Sequence, residues 1–183
     1  EGCVANRNYQ EGEGLEECLA TFKKTDQEII DQIIHQARGM LQHARIKLKR
    51  TTKYEISHHY GLKRFREYGA ILIDIINREY CKKLIIQLPR QKHPYHYHEK
   101  KEESFHVLYG SIEIETEGNL HVLEEGDIFL VQKGQWHKFS TLHGAIFEEL
   151  STTHYRNDSF YEDPRINSLR IDQRKTIYTD EQL

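Results

Sequence analysis

The sequence predicts an all-β barrel or sandwich preceded by one amphipathic α-helix, and three observations carry that expectation. Nine short β-rich runs follow Gly69, turn signals separate them, and a single upstream stretch repeats apolar residues at spacings of three and four. With 183 residues the chain is long enough to close one hydrophobic core without disulfides or a structural metal as its only staple.

From Glu1 to Thr25 the composition is polar and rich in Gly and Glu, which reads as an arm or linker with at most a short helical turn near Leu15 to Phe22. Thr25-Asp26-Gln27-Glu28 is a capping box. Behind it Ile30, Ile33, Ile34, Ala37, Leu41, Ala44 and Leu48 form one apolar stripe, so a helix is expected to about Lys47, weakened but not broken by Gly39. Such a stripe either docks a partner or packs on the chain's own barrel, and the second use is the commoner. Ser57-His58-His59-Tyr60-Gly61 is expected to anchor the segment before the barrel, because adjacent histidines on a strand face opposite ways and make poor joint ligands.

The β-rich runs are Ala70–Ile76, Lys83–Leu88, His96–His98, Glu103–Tyr109, Ser111–Thr116, His121–Leu123, Ile128–Val131, Trp136–Thr141 and Ala145–Ser151. Gly110, Glu117-Gly118-Asn119, Glu125-Gly126-Asp127 and Lys133-Gly134 sit where tight turns are needed. From Tyr155 the chain turns polar and aromatic without period, an arm lying over the barrel or over a second subunit. The organisation is thus an arm and helix over 1–66, a barrel over 67–154 and a C-terminal arm over 155–183.

Composition narrows the function classes. With 26 basic and 29 acidic residues the net charge is -3, which offers no polyanion-binding surface, so nucleic acid is not an expected partner. Cys3, Cys18 and Cys81 are odd in number and unrelated in spacing, which argues for a reducing compartment. No apolar run approaches the ~18 residues of a membrane span and no signal pattern opens the chain, so no membrane partner and a cytoplasmic location are expected. The chain starts at Glu1 and its sole methionine is Met40, which reads either as processing of the N-terminus or as a piece of something longer.

The chemistry concentrates in a few residues. His96 and His98 share a strand face, Glu103 opens the next run, and Gly126, Gly134 and His137 follow. Three imidazoles and a carboxylate suit a divalent first-row metal such as Mn, Fe, Zn or Ni, with positions left for a substrate. Parity places Phe105 and Val107 on the Glu103 face and Phe139 and Thr141 on the His137 face, so the site is expected in an apolar barrel mouth. Each histidine alone, among 12, is more often a core or surface residue.

The joint spacing resembles the two motifs of the cupin superfamily: His96, His98, Glu103 and Gly110 match the first, and Gly126, Gly134 and His137 the second. Gln132 and Thr141 replace the second motif's usual proline and asparagine. That resemblance implies a double-stranded β-helix, the cupin jelly-roll barrel. The flanks, roughly Ser57 to Thr176, resemble the cupin module fused behind N-acetylneuraminate (sialic acid) synthase-like enzymes of bacterial surface-glycan pathways, and more distantly D-lyxose ketol-isomerase. The isomerase resemblance covers His96, His98, Lys101 and Glu103, together with Glu149 after the apolar residues of the last strand. No synthase barrel is present in the chain.

The resemblance implies that a metal holds two adjacent sugar oxygens while a base moves a proton between two carbons. Glu149 is the candidate base, since parity puts Ala145, Phe147, Glu149 and Ser151 on one face; the alternative is a glutamate capping an edge strand. Lys101 is a candidate proton donor or oxygen clamp, or one member of a solvated charge run. His93 is a partner of the ligating histidines or a bystander. His154, Tyr155, Arg156, Asp158, Tyr161 and Glu162 read as a sugar-binding rim or a dimer seam. The expected function is a metal-dependent cupin acting on a small sugar or sugar acid, with aldose–ketose isomerisation leading, as a homodimer. The alternative is a non-catalytic sugar-binding module serving an upstream synthase domain; oxygen-dependent dioxygenation is permitted but not favoured.

Overall fold

In the computed structural model, which describes residues 25–49, 52–155 and 157–179, helix α1 spans Asp26–His43. The expected arm and the helical turn at Leu15 to Phe22 lie outside the described residues. The capping box forms: the Thr25 side chain accepts from the Glu28 N–H, and the Glu28 carboxylate accepts from the Thr25 N–H at 2.7 Å. The helix stops four residues short of Lys47. Arg45 adopts φ 57, and the N–H groups of Ile46 and Arg45 close back onto the carbonyls of Leu41 and Gln42 at 2.9 and 3.1 Å. This is the left-handed helix stop normally marked by glycine, made here by an arginine that gives no sequence signal. Ile46 and Leu48 therefore reach the core from an extended segment.

The first strands are β1 (Lys53–Ser57), β2 (Ala70–Asn77), β3 (Tyr80–Gln87), β4 (His96–Tyr97), β5 (Glu103–Gly110) and β6 (Ile112–Thr116). They are followed by β7 (Asn119–Leu123), β8 (Ile128–Val131), β9 (His137–Ser140), β10 (Ala145–Thr152), β11 (Phe160–Tyr161) and β12 (Lys175–Thr179). Two short helices, α2 (Pro164–Ser168) and α3 (Ile171–Arg174), precede β12. A seven-stranded sheet runs β12-β1-β2-β3-β10-β5-β8, and a five-stranded sheet runs β11-β4-β9-β6-β7. All strand pairings are antiparallel.

Period-two alternation divides the apolar residues of the large sheet between two cores. Ile71, Ile73, Leu84, Ile86 and Ile146 face outward onto the α1 stripe of Ile30, Ile33, Ile34, Ala37 and Leu41. Their neighbours Ala70, Ile85, Ala145 and Phe147 face inward, where they meet Phe105, Val107, Ile112, Ile114 and Phe139. The helix stripe thus packs on its own barrel. Between the cores, Gly110 takes φ 76 against the backbone of Gly144, where a Cβ would strike the Gly144 carbonyl oxygen.

Each of the nine β-rich runs overlaps one strand. Strands β1, β11 and β12 and the two short helices were not anticipated. β11 is two residues long, and β12 shows no apolar alternation because it lies at a sheet edge with Ile177 exposed. Nevertheless these strands place the C-terminal arm: Phe160 and Tyr161 pair with Tyr97 and His96 of β4, while β12 pairs along the whole of β1. The arm lies over its own barrel.

Ile34 is 1% exposed at the centre of the helix-sheet core. Truncating Ile34→Ala is expected to lower unfolding free energy by about 2–4 kcal/mol, measured by urea denaturation, because the rigid sheet beneath cannot collapse into the void.

Candidate metal centre

Two sheets supply the ligand quartet. His96 on β4 lies directly across from His137 on β9 in the small sheet, His98 follows β4, and Glu103 opens β5 of the large sheet. One potential donor atom from each of His96, His98, Glu103 and His137 lies within 4.8 Å of the others, and all four residues are buried. The structure brings together the four residues that the spacing singled out.

The histidines are oriented by backbone. The Nδ1–H of His96 donates to the Pro94 carbonyl at 2.9 Å, that of His137 to the Gln135 carbonyl at 3.1 Å, and that of His98 to the Asp158 carbonyl. A carbonyl only accepts, so each Nδ1 carries the proton and each Nε2 turns a lone pair inward. Around Glu103 the inward atoms are then all acceptors: His98 Nε2 stands 3.3 Å from Oε1 and His137 Nε2 stands 3.1 Å from Oε2. His137 Nε2 and Glu103 Oε2 are buried without a hydrogen-bond partner. Lone pairs facing one another in a dry site call for a cation between them, so the residues fit a divalent metal.

The electrostatics favour a neutral His96 and an ionised Glu103, the forms that could bind a metal. Burial, reinforced by His137 and His93, holds the His96 imidazolium form well below its usual range. Burial alone would raise the Glu103 carboxyl, but the adjoining Lys101 ammonium holds it well below the carboxylate range. Burial would likewise lower Lys101, but Glu103 and Glu149 keep it firmly protonated.

Glu149 and Lys101 enter the same chamber. Lys101 Nζ contacts Glu103 Oε1 and donates to Glu149 Oε1 at 2.8 Å, with both side chains buried. Glu148 points the other way, onto Lys82 at 2.6 Å and His106 at 3.6 Å. β10 lies between β3 and β5, so Glu149 caps no sheet edge. Lys101 stands apart from the solvated charges Glu99, Lys100 and Glu102 around it.

His93 stacks on Phe139 with centroids 4.5 Å apart and meets the rings of His96 and His59 at 4.6 and 4.7 Å. His59 bonds to the Tyr161 hydroxyl at 3.0 Å and His58 to Thr176 at 2.8 Å, so this pair ties the segment after β1 to the C-terminal arm. Tyr161 stacks on His96, and His154 lines the chamber. Tyr155 lies beneath the Lys100 ammonium, and Glu162 is outside the chamber; Arg156 lies outside the described residues.

Asp158, read from the sequence as part of a sugar-binding rim or dimer seam, is instead a positioning residue. It is 2% exposed; its carbonyl holds His98, and its carboxylate accepts the N–H groups of Glu99, Lys100 and Lys101 at 3.0–3.1 Å. One residue of the arm thereby sets both a ligand and the loop carrying Lys101. Asp158→Ala is expected to leave one metal site per chain but weaken its affinity about 10–100-fold, as measured by competition with a chelator.

Residues 84–148 match the family model of the cupin domain. No curated protein matches the chain. Among solved structures, L-ribose isomerase from Cellulomonas parahominis with L-psicose superposes at TM-score 0.62 and 16% identity, covering 77% of this chain and 94% of that one. The Geodermatophilus obscurus L-ribose isomerase gives 0.63 and 15%, with coverage of 77% and 94%. An L-ribose isomerase mutant from Acinetobacter sp. DL28, in complex with L-ribose, gives 0.62 and 14%, with 80% and 94%. At these identities the likeness speaks to fold. By its strand arrangement the chain has the fold of a double-stranded β-helix, the cupin fold, with residues 84–148 similar to the cupin domain.

Proposed function

We propose that this protein is a divalent-metal-dependent sugar isomerase that interconverts an aldose and its ketose, with Mn, Fe, Zn or Ni as the metal. The observation that carries the reading is the placement of Glu149 and Lys101, both buried, in one chamber with the ligand quartet. The L-ribose isomerases that share the fold over 77–80% of this chain support it.

A divalent ion held by His96, His98, Glu103 and His137 would polarise two adjacent sugar oxygens. The Glu149 carboxylate takes the proton from C2 of the aldose, the C2–H electron pair forms the C1–C2 double bond of an enediol as the C1–O1 π pair moves onto O1, and the same carboxylate returns the proton to C1 as the C2–O2 double bond forms. O1 gains a proton and O2 loses one, and the Lys101 ammonium is the donor at hand for that exchange. Lys101 also fixes the Glu149 carboxylate by its 2.8 Å hydrogen bond. Phe105, Phe139 and Phe147 wall the interior and exclude water, which protects the enediol.

A second reading is a non-catalytic module that holds a sugar for an enzyme of sialic-acid-like surface-glycan synthesis. It is favoured by the likeness of the Ser57–Thr176 flanks to the module fused behind N-acetylneuraminate synthase-like enzymes. Purified protein loaded with Mn(II) is expected to interconvert at least one aldose–ketose pair in a pentose and hexose panel followed by NMR. Glu149→Gln should lower kcat about 10²–10⁴-fold with metal content unchanged. Silence across the panel with sugar binding retained would favour the non-catalytic module instead.

A further inference from the structure

We propose that the substrate is a sugar acid, whose carboxylate is received by the ammonium of Lys83. This deepens the sugar-converting reading above and rests on it.

Lys83 lies on β3 directly opposite Glu149 of β10 and lines the chamber with a side chain only 4% exposed. Its nearest carboxylate oxygen, Glu149 Oε1, is 4.0 Å away, beyond hydrogen-bond range, and that oxygen already accepts from Lys101 at 2.8 Å. Asp74, opposite Lys83 on β2, is exposed and makes no ion pair with it. Among the described residues, the three donors of this ammonium thus have no hydrogen-bond acceptor.

The neighbouring cations are already matched. Lys101 is held by Glu103 and Glu149, and Lys175 by Glu55 at 2.6 Å. Lys83, Lys101 and Lys175 are balanced in number by Glu103, Glu149 and Glu55, so a divalent ion on the quartet would leave the wall with surplus positive charge, and Lys83 is the ammonium of the three with no hydrogen-bonded carboxylate. A neutral sugar hydroxyl could occupy the donors but would leave that charge uncompensated in a desolvated chamber, whereas a carboxylate neutralises it. The same field acts on His154, whose pKa is lowered to about 2 by burial and by Lys83, Lys101 and Lys175.

Space favours a ligand that enters by one end. The inner chamber is about 40 Å³, and it shares the walls His154, Ser159, Tyr161 and Lys175 with an outer cavity of about 860 Å³ that can take the body of a sugar.

Calorimetric titration of the Mn(II)-loaded protein with hexuronates, beside their parent hexoses, tests the inference. The acids are expected to bind at least about tenfold more tightly, the worth of one desolvated charge pair. Lys83→Met should remove that preference. Hexoses binding as well as the acids would overturn the inference and leave the sugar-converting reading standing, and a preference that survives in Lys83→Met would overturn the role of Lys83. The wild-type comparison decides even if the variant does not fold. Neither class binding or being converted would sink the sugar reading itself and this inference with it.

Discussion

The arrangement depends on one electrostatic constraint: the Glu103 carboxylate is buried with imidazole lone pairs turned toward it. Three backbone carbonyls, those of Pro94, Gln135 and Asp158, take the Nδ1 protons, so that each ring in its neutral form presents only a lone pair to the carboxylate. Positive charge must come from elsewhere. Lys101 supplies part of it from one side, and the geometry reserves the rest for a cation among the ligands.

The fold serves that constraint by rigidity. His96 and His137 are cross-strand neighbours, so their separation is set by strand spacing, whereas Glu103 comes from the opposite sheet. The distance between sheets therefore governs the centre. It is set by Phe105, Phe139 and Phe147: Phe147 meets the other two rings edge to face and Phe105 and Phe139 are tilted, with centroids 5.3–5.7 Å apart. Helix α1 stiffens the outer face of the large sheet through Ile33, Ile34 and Leu41.

Much of this was legible in the residues, for local reasons. The ligand quartet, the inward face of Phe105 and Phe139, and the divergence of Glu148 from Glu149 all follow from strand parity, which needs no knowledge of the rest of the chain. Substituted turn residues did not disturb it. At the positions of the missing proline and asparagine, Gln132 is held by the Gln135 side chain at 3.0 Å, and the Thr141 hydroxyl bonds Ser111 and Gly144. What stayed hidden depends on distant partners. The positioning role of Asp158 has no local pattern to mark it, β11 is too short to show alternation, and the helix stop at Arg45 uses a residue type that rarely adopts the conformation. Lys83 reads in sequence as an ordinary strand lysine; only the register against Glu149 shows that it is enclosed.

The bond from Asp158 to His98 spans 60 positions of chain. Closing a loop of that length costs entropy that the surrounding strand pairings must offset. The ring it orients is therefore held from outside the segment 84–148, by the C-terminal arm and not by the barrel strands alone. The tail is a latch on the mouth of the barrel.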